Sequence, residues 1–450
     1  MLLSTHPLAI FEVIWVILLT FFAGRLFAGA KNEKQGKTVI YVSVALLVIT
    51  LVIFKYSHLP LPAALGLSYF TLAAMGYLLD VYRGSTEAER SVINLAAFLS
   101  FFPPMPSGPI LDYKTEKNGL FHDRPVKLSD LKYGAVRMLW GCFKKLVLAD
   151  RIALYTGTVL NAPETFNGGF VLLAAPLLAF ELYLDFSGCM DIVLGGAECF
   201  GMHLSENFRR PFFSETAAEF WQRWHITLGL WAKNYLLYPM QRTGLFRKLS
   251  KKSRKLFGKH LGQVLPVYLT MLPMWILIGI WHGGSLLLTV SSGLIPWAII
   301  TLGGLLNPLF VRAGNILKVD YSRTSFKIFR KFRTFIAFLP MFLAFFSKDL
   351  SHFFYEVRSI LFVRNYWIFF DDSIFTAGLD PKDFAVLFAG LLVVFAVELF
   401  EEKRGSVREA LFRQNILFRW GLFIALIAAI VLFGIYGPEY NASDFIYGGF

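Results

Sequence analysis

Charge is scarce in this chain. Of its 450 residues only 17% are Asp, Glu, Lys or Arg, where a water-soluble protein carries about a quarter. Between Lys259 and Arg312 there is none at all. Hydrophobic residues supply 56% of the sequence and aromatic ones 17%, and mean hydropathy is +0.55. So much apolar surface cannot be enclosed in one water-surrounded core. A soluble enzyme or a nucleic-acid-binding module is excluded, and an all-α polytopic membrane protein is implied.

Cysteine is also sparse. Cys142, Cys189 and Cys199 stand in apolar surroundings without a CxxC pair, which excludes a disulfide framework and a thiolate metal site. No P-loop, GxSxG, HExxH or dinucleotide-binding glycine pattern occurs in a credible context. The longest polar stretches, 111–132 and 241–263, are loop-sized, so no soluble domain is expected. There is no internal repeat, which argues against an inverted-repeat transporter. The expected organisation is a single integral-membrane domain, 1–450.

What is abundant is apolar runs. They fall near 8–23, 39–54, 63–79, 91–103, 133–149, 169–184, 186–200, 226–240, 264–281, 284–308, 334–347, 355–371, 383–399 and 419–437. Several are shorter than the ~20 residues a straight crossing needs. About eleven transmembrane helices are expected, with re-entrant or broken pieces besides. "FFPPMPSGPI" (101–110) is the clearest broken piece, because each proline removes a backbone donor. Irregular backbone of this kind sits at membrane depth only where protein or a water-filled cavity satisfies it.

Net charge is +13, and it is clustered in "RKLSKKSRKLFGKH" (247–260) and "RTSFKIFRKFR" (323–333). Lys and Arg mark cytoplasmic loops. A basic cytoplasmic surface also attracts an acidic partner, such as a phosphate-bearing cofactor or a carrier protein. The first apolar run lacks a preceding Lys or Arg and contains Glu12, unlike a cleaved signal. The positive residues follow it, at Arg25, Lys31, Lys34 and Lys37, which places the first loop in the cytoplasm.

Three constellations carry possible chemistry. In "LPMWILIGIWHGGSLLLTV", His282 stands in an otherwise lipid-soluble run. Ionisable residues within spans are rare and face a bundle interior or a pathway, and Gly283 and Gly284 permit close approach. A histidine bonded to a backbone carbonyl between helices is the plain alternative. In "EFWQRWHITLGLWAKNYLLYPM" (219–240), a continuous helix would put Trp221 and His225 on one face and Trp224, Leu228 and Trp231 on another, with Arg223 among them. In "YLDFSGCMDIVLGGAECFG" (183–201), Asp185 and Asp191 are six apart and share no helical face unless Ser187-Gly188 breaks the helix. They would bind an ion, position a histidine or pair with Arg209 or Arg210. A structural ion pair is the plain alternative.

"LDVYRG", "FFPPMPSGPI", "YLDFSGCMDI", "NFRRPF", "FWQRWHITL" and "IWHGG" together resemble the membrane-bound O-acyltransferase family. The likeness is to its bacterial branch of alginate O-acetylation, peptidoglycan O-acetyltransferase and teichoic-acid D-alanylation proteins. It is strong over about 60–350, the motif-bearing core. It is weaker over the C-terminal spans, about 355–437, and the ending "DFIYGGF". Gln222, Asn234, Cys189-Met190, Leu111-Asp112 and "FFSKD" (345–349) depart from the branch pattern.

The resemblance implies a helical bundle around a central tunnel, in a multi-pass protein of the cytoplasmic (inner) membrane. It implies His282 as the catalytic histidine and His225 as the second characteristic polar position. The implied reaction moves an acyl group, in the first instance acetyl, from a cytoplasmic thioester donor. Acetyl-coenzyme A or an acyl-carrier protein would serve as that donor, with no tightly bound cofactor and no metal. The acceptor would be the hydroxyls of an extracytoplasmic polysaccharide, reached directly or through a partner transferase. D-alanyl transfer to teichoic acid is the alternative within the family, and a transporter or channel the remote one. In the tunnel a neutral His282 would take the hydroxyl proton, kept neutral by burial. His225 would hold a water, the thioester oxygen or the thiol. Trp221, Trp224 and Trp281 would line the passage and exclude water.

Overall fold

The computed structural model describes residues 9–56, 64–105, 107–121 and 125–436. Among them every regular element is helical. Among the described residues seven helices are long and apolar enough to cross a membrane: Ala9–Ala28, Glu33–Tyr56, Gly169–Cys199, Gly244–Gly283, Leu286–Ile316, Pro381–Arg404 and Ile416–Phe433. The chain is an all-α polytopic membrane protein. The ending "DFIYGGF" lies outside the described residues.

Helix starts follow side-chain chemistry. Thr216, Thr243, Ser285, Asp349 and Asn415 each accept a hydrogen bond from a backbone N–H in the first turn that follows. That satisfies a donor which a helix N-terminus otherwise leaves unpaired. Asp380 and Asp383 form a reciprocal capping box with Pro381 at the first helical position, where its missing N–H costs nothing.

Contacts divide the chain into two compact units. The first runs to Met138 and includes Cys189–Asn207. Its centre is the helix Leu67–Tyr82, buried along almost its whole length. Glu12, the acidic residue in the first apolar run, is buried, and its carboxylate accepts from the Ala64 backbone N–H at 2.8 Å. Asp80 pairs with Lys114 at 3.0 Å. Gly134 and Gly195 sit against each other, and a Cβ on either would come within 2.6 Å of the other's carbonyl oxygen. Only glycine permits that approach.

In the proline-rich stretch the chain turns tightly, with Gly108 N–H donating to Pro104 at 2.7 Å and Met105 N–H to Phe102 at 3.3 Å. A small open cleft lies beside it, lined by Tyr69, Phe70, Phe98, Phe101, Pro104 and Leu111 among others.

The second unit is Leu139–Gly188 together with Phe208 onward. Its interior is aromatic: Phe220 stacks on Phe338 at 4.2 Å, and Trp224 stacks on Phe220 at 5.4 Å. Its charged groups are buried in pairs. Lys145 Nζ lies 2.6 Å from Asp185 and 2.8 Å from Asp150. Lys144 Nζ donates to Ser187 at 2.8 Å. Both lysines belong to a π-helical turn, Phe143–Ala149. The wider turn brings consecutive lysines to neighbouring partners on the helix Gly169–Cys199.

Three expectations need correction. The basic segment 247–260 is not a loop. It is helical from Gly244, because nothing in "GLFRKLSKKSRKLF" breaks a helix, until Gly258 at φ 71° and ψ −160° kinks the chain sharply and a second helix follows; Gly262 packs back against Arg254, where a Cβ would meet its Cα at 2.5 Å. The runs 169–184 and 186–200 form one 31-residue helix that passes through Ser187-Gly188 unbroken. The run 226–240 is continuously helical as expected, Ile226–Ala232 passing through the π turn Lys233–Leu237 into Tyr238–Gln241. The run 355–371 is the helix Leu350–Phe362 followed by a 3-10 turn, Tyr366–Phe369.

Candidate active site

The segment around His225 is not the continuous helix its spacing suggests. The helix Ala217–Arg223 stops at Trp224, which is extended at φ −109°. His225 follows in the left-handed region at φ 44°, and a new helix begins at Ile226. A branched-away backbone of this kind costs on the order of 1–3 kcal/mol in a non-glycine residue. The surroundings hold it in place: Arg209 N–H donates to the Arg223 carbonyl at 2.9 Å. Arg223 makes a two-pronged pair with Glu402, 3.0 Å on each arm, and a further bond to Glu219 at 2.7 Å. Trp221 and His225 therefore do not share one helical face. The break turns the imidazole inward, where it is 3% exposed.

His282 closes the last turn of the helix that follows the kink at Gly258 and ends at Gly283. It is 5% exposed, and its Nδ1 is 2.7 Å from the carbonyl oxygen of Ile278, one turn earlier. A carbonyl oxygen only accepts, so Nδ1 carries the proton of this bond. In the neutral ring that leaves the lone pair on Nε2. Gly284, left-handed at φ 71°, ends the helix. The segment from Leu286 returns against it in close contact. A Cβ on Gly279 would lie 2.8 Å from the Thr289 backbone, and one on Gly293 would lie 2.6 Å from the Trp275 carbonyl. That close return packs the last turns of the histidine's helix tightly.

Trp281 joins the two histidines. Its ring centroid is 5.1 Å from that of His282 and 6.3 Å from that of His225. Phe186 meets His225 edge-on at 5.0 Å. The two histidines separated by 57 positions in the sequence thus flank one indole. Imidazoles so close and so shielded from water have the makings of a proton-transfer site.

The other sequence-selected residues take different places. Trp224 is buried among Phe208, Phe220 and Phe342, a packing role. Trp221 meets Trp275 at 4.8 Å. Asp185 belongs to the Lys145 pair, beside Phe186. Asp191, in the first unit, is held by Arg137 at 2.9 Å, and the same guanidinium reaches Glu198 at 3.0 Å. Neither aspartate pairs with Arg209 or Arg210. Arg210 instead bonds Glu402 at 2.8 Å. Arg223 is part of that same cluster. Sequence reading passed over Trp275, although it stands seven residues before His282 and so on the same helical face.

The model of the membrane-bound O-acyltransferase family matches residues 4–257, a stretch that holds His225 and ends before His282. A probable alginate O-acetylase of Pseudomonas putida is 35% identical over 236 residues, 52% of this chain and 44% of that protein. A peptidoglycan O-acetyltransferase of Helicobacter pylori is 27% identical over 259 residues, 52% of this chain and 45% of that protein. A teichoic acid D-alanyltransferase of Streptococcus thermophilus is 25% identical over 294 residues, 62% of this chain and 69% of that protein. Of the alginate-type relatives, the match spans less than half their length.

Proposed function

This chain belongs to the membrane-bound O-acyltransferase family, and on that premise we propose that it carries an acetyl group from a cytoplasmic thioester to hydroxyls of an envelope polysaccharide. It would do so in the cytoplasmic membrane, directly or by way of an extracytoplasmic partner transferase. The observation that carries the chemistry is the 2.7 Å bond between His282 Nδ1 and Ile278 O, which leaves Nε2 as the base. The acceptor hydroxyl oxygen attacks the thioester carbonyl while Nε2 takes its proton. The C–S bond then breaks, and the departing thiolate collects that proton from the imidazolium. No proton is gained or lost overall. His225, across Trp281, serves to hold the carbonyl oxygen or the sulfur.

The basic helix that begins at Gly244 supports a cytoplasmic donor, because Lys and Arg gather on that side and phosphates of coenzyme A or an acidic carrier protein would be drawn to it. Transfer of D-alanine from a carrier protein is the second reading, favoured by the fuller coverage of the streptococcal relative. Mass spectrometry of envelope glycans from cells with and without the gene separates the two. Loss of O-acetyl esters is expected. Loss of D-alanyl esters instead assigns the second reading, and unchanged glycans overturn both.

For the purified protein, His225→Ala is expected to lower thioester consumption by about 10²-fold, the size of effect seen on removing one group that stabilises a reacting oxygen. Unaltered kinetics would reduce His225 to a packing role.

A further inference from the structure

Two indole N–H groups near the histidines are buried without a hydrogen-bond partner among the described residues: Nε1 of Trp221 and Nε1 of Trp275. Buried tryptophans usually find an acceptor, and an orphaned donor in a folded core calls for an explanation. Trp297 and Trp15 follow the rule, the first donating to the Tyr268 carbonyl at 2.8 Å and the second to Thr50 at 3.0 Å. The two unpartnered indoles are neighbours. Their ring centroids are 4.8 Å apart with planes at 67°, and Trp275 is 4% exposed. They come from different helices, Ala217–Arg223 and Gly244–Gly283.

Their level in the helix bears on what they would bind. Trp275 precedes His282 by seven residues, which places it on the same face and about 10 Å along the axis. It lies between His282 and Lys259, where this helix leaves the basic turn at Gly258; Lys and Arg gather on the cytoplasmic side. A donor arriving from the cytoplasm passes the indoles before its thioester reaches the imidazole. The separation is too long for the reacting carbonyl and suits an acceptor farther along the donor. A pantetheine arm, shared by coenzyme A and by carrier proteins, offers two secondary-amide carbonyls beyond its sulfur and otherwise mostly hydrocarbon.

Building on the acyl-transfer reading above, we propose that Trp221 and Trp275 form a subsite for the pantetheine arm, their N–H groups donating to an amide carbonyl. Each amide carbonyl carries two lone pairs and so can take both donors. The subsite fixes the depth at which the thioester stops. It also makes the site indifferent to whether the arm hangs on a nucleotide or on a protein.

The test is binding to the full-length protein in nanodiscs. Ligands are acetyl-coenzyme A, S-acetyl-pantetheine (arm alone) and adenosine 3′,5′-bisphosphate (no arm). Trp221→Phe and Trp275→Phe keep a ring for packing and remove the N–H. Each is expected to weaken acetyl-coenzyme A and S-acetyl-pantetheine by the same factor, about three- to ten-fold for one neutral hydrogen bond. The bisphosphate should be unaffected. Trp297→Phe, whose N–H is already committed, should change none of the three. Unchanged affinity for S-acetyl-pantetheine in both Phe variants, or an equal loss for the bisphosphate, overturns the subsite. Should the parent protein bind neither acetylated ligand, the thioester donor itself is wrong, and that failure is visible before any variant is made.

Discussion

His282→Ala is expected to cut acyl transfer by about 10²–10⁴-fold, the usual worth of a general base, while membrane insertion and melting stay near those of the parent. The two halves of this expectation have separate grounds. For activity, alanine removes the nitrogen that would receive the hydroxyl proton. For stability, the lost ring-to-carbonyl bond is worth about 1 kcal/mol. Ile278 O keeps its place as acceptor for the backbone N–H one turn on, and alanine is the best helix former. His282→Gln retains a donor for Ile278 but has no basic lone pair, so it should be as inactive as the alanine variant. Added imidazole should restore part of the rate to His282→Ala, since the vacated volume faces Trp281. Labelled acetyl transfer in proteoliposomes, with thermal melting in detergent alongside, checks all three. A purified alanine variant that turns over like the parent would end the assignment of His282 as the base.

Both histidines could be singled out from the sequence because polar groups in apolar runs stand out. Membrane class was equally plain, from the missing charge. The arrangement between elements was not. Trp221 and His225 four apart suggest a shared helical face, yet the backbone turns over at Trp224-His225. What holds that turn is Glu402, 179 residues from Arg223, and no local pattern announces such a partner. Asp185 and Asp191 looked like a pair because they are near in sequence. Their actual partners, Lys145 and Arg137, come from preceding helical segments 40 and 54 positions away. The basic stretch 247–260 looked like a loop because positive charge marks loops in membrane proteins, but Lys and Arg are also good helix formers. Trp275 was legible in principle. The spacing of seven from His282 was the signal, and it was hidden among so many other aromatic residues.

Lys145→Met is expected to destabilise the protein by about 3–5 kcal/mol, the range for removing one partner of a buried ion pair. The lysine is caught between two carboxylates, Asp185 at 2.6 Å and Asp150 at 2.8 Å, and the side chains of Lys145 and Asp185 are 5% and 1% exposed. With the ammonium gone, a carboxylate only 1% exposed loses the cation that stood 2.6 Å away. The damage would not stop at stability. Asp185 is followed directly by Phe186, the ring that meets His225 edge-on, so a shift of the aspartate moves a wall of the site. The sign reverses when the pair is taken out together. Lys145→Met with Asp185→Leu leaves only Asp150, which is the more exposed carboxylate, and apolar groups of similar volume often replace buried ion pairs without loss. The double variant should therefore melt above Lys145→Met alone and recover part of its activity. Denaturation in mixed micelles of the parent, both single variants and the double variant closes the cycle. Additive losses, with no recovery in the double variant, would mean that the pair is not coupled and that the 2.6 Å contact does not hold this helix in register with the histidine site.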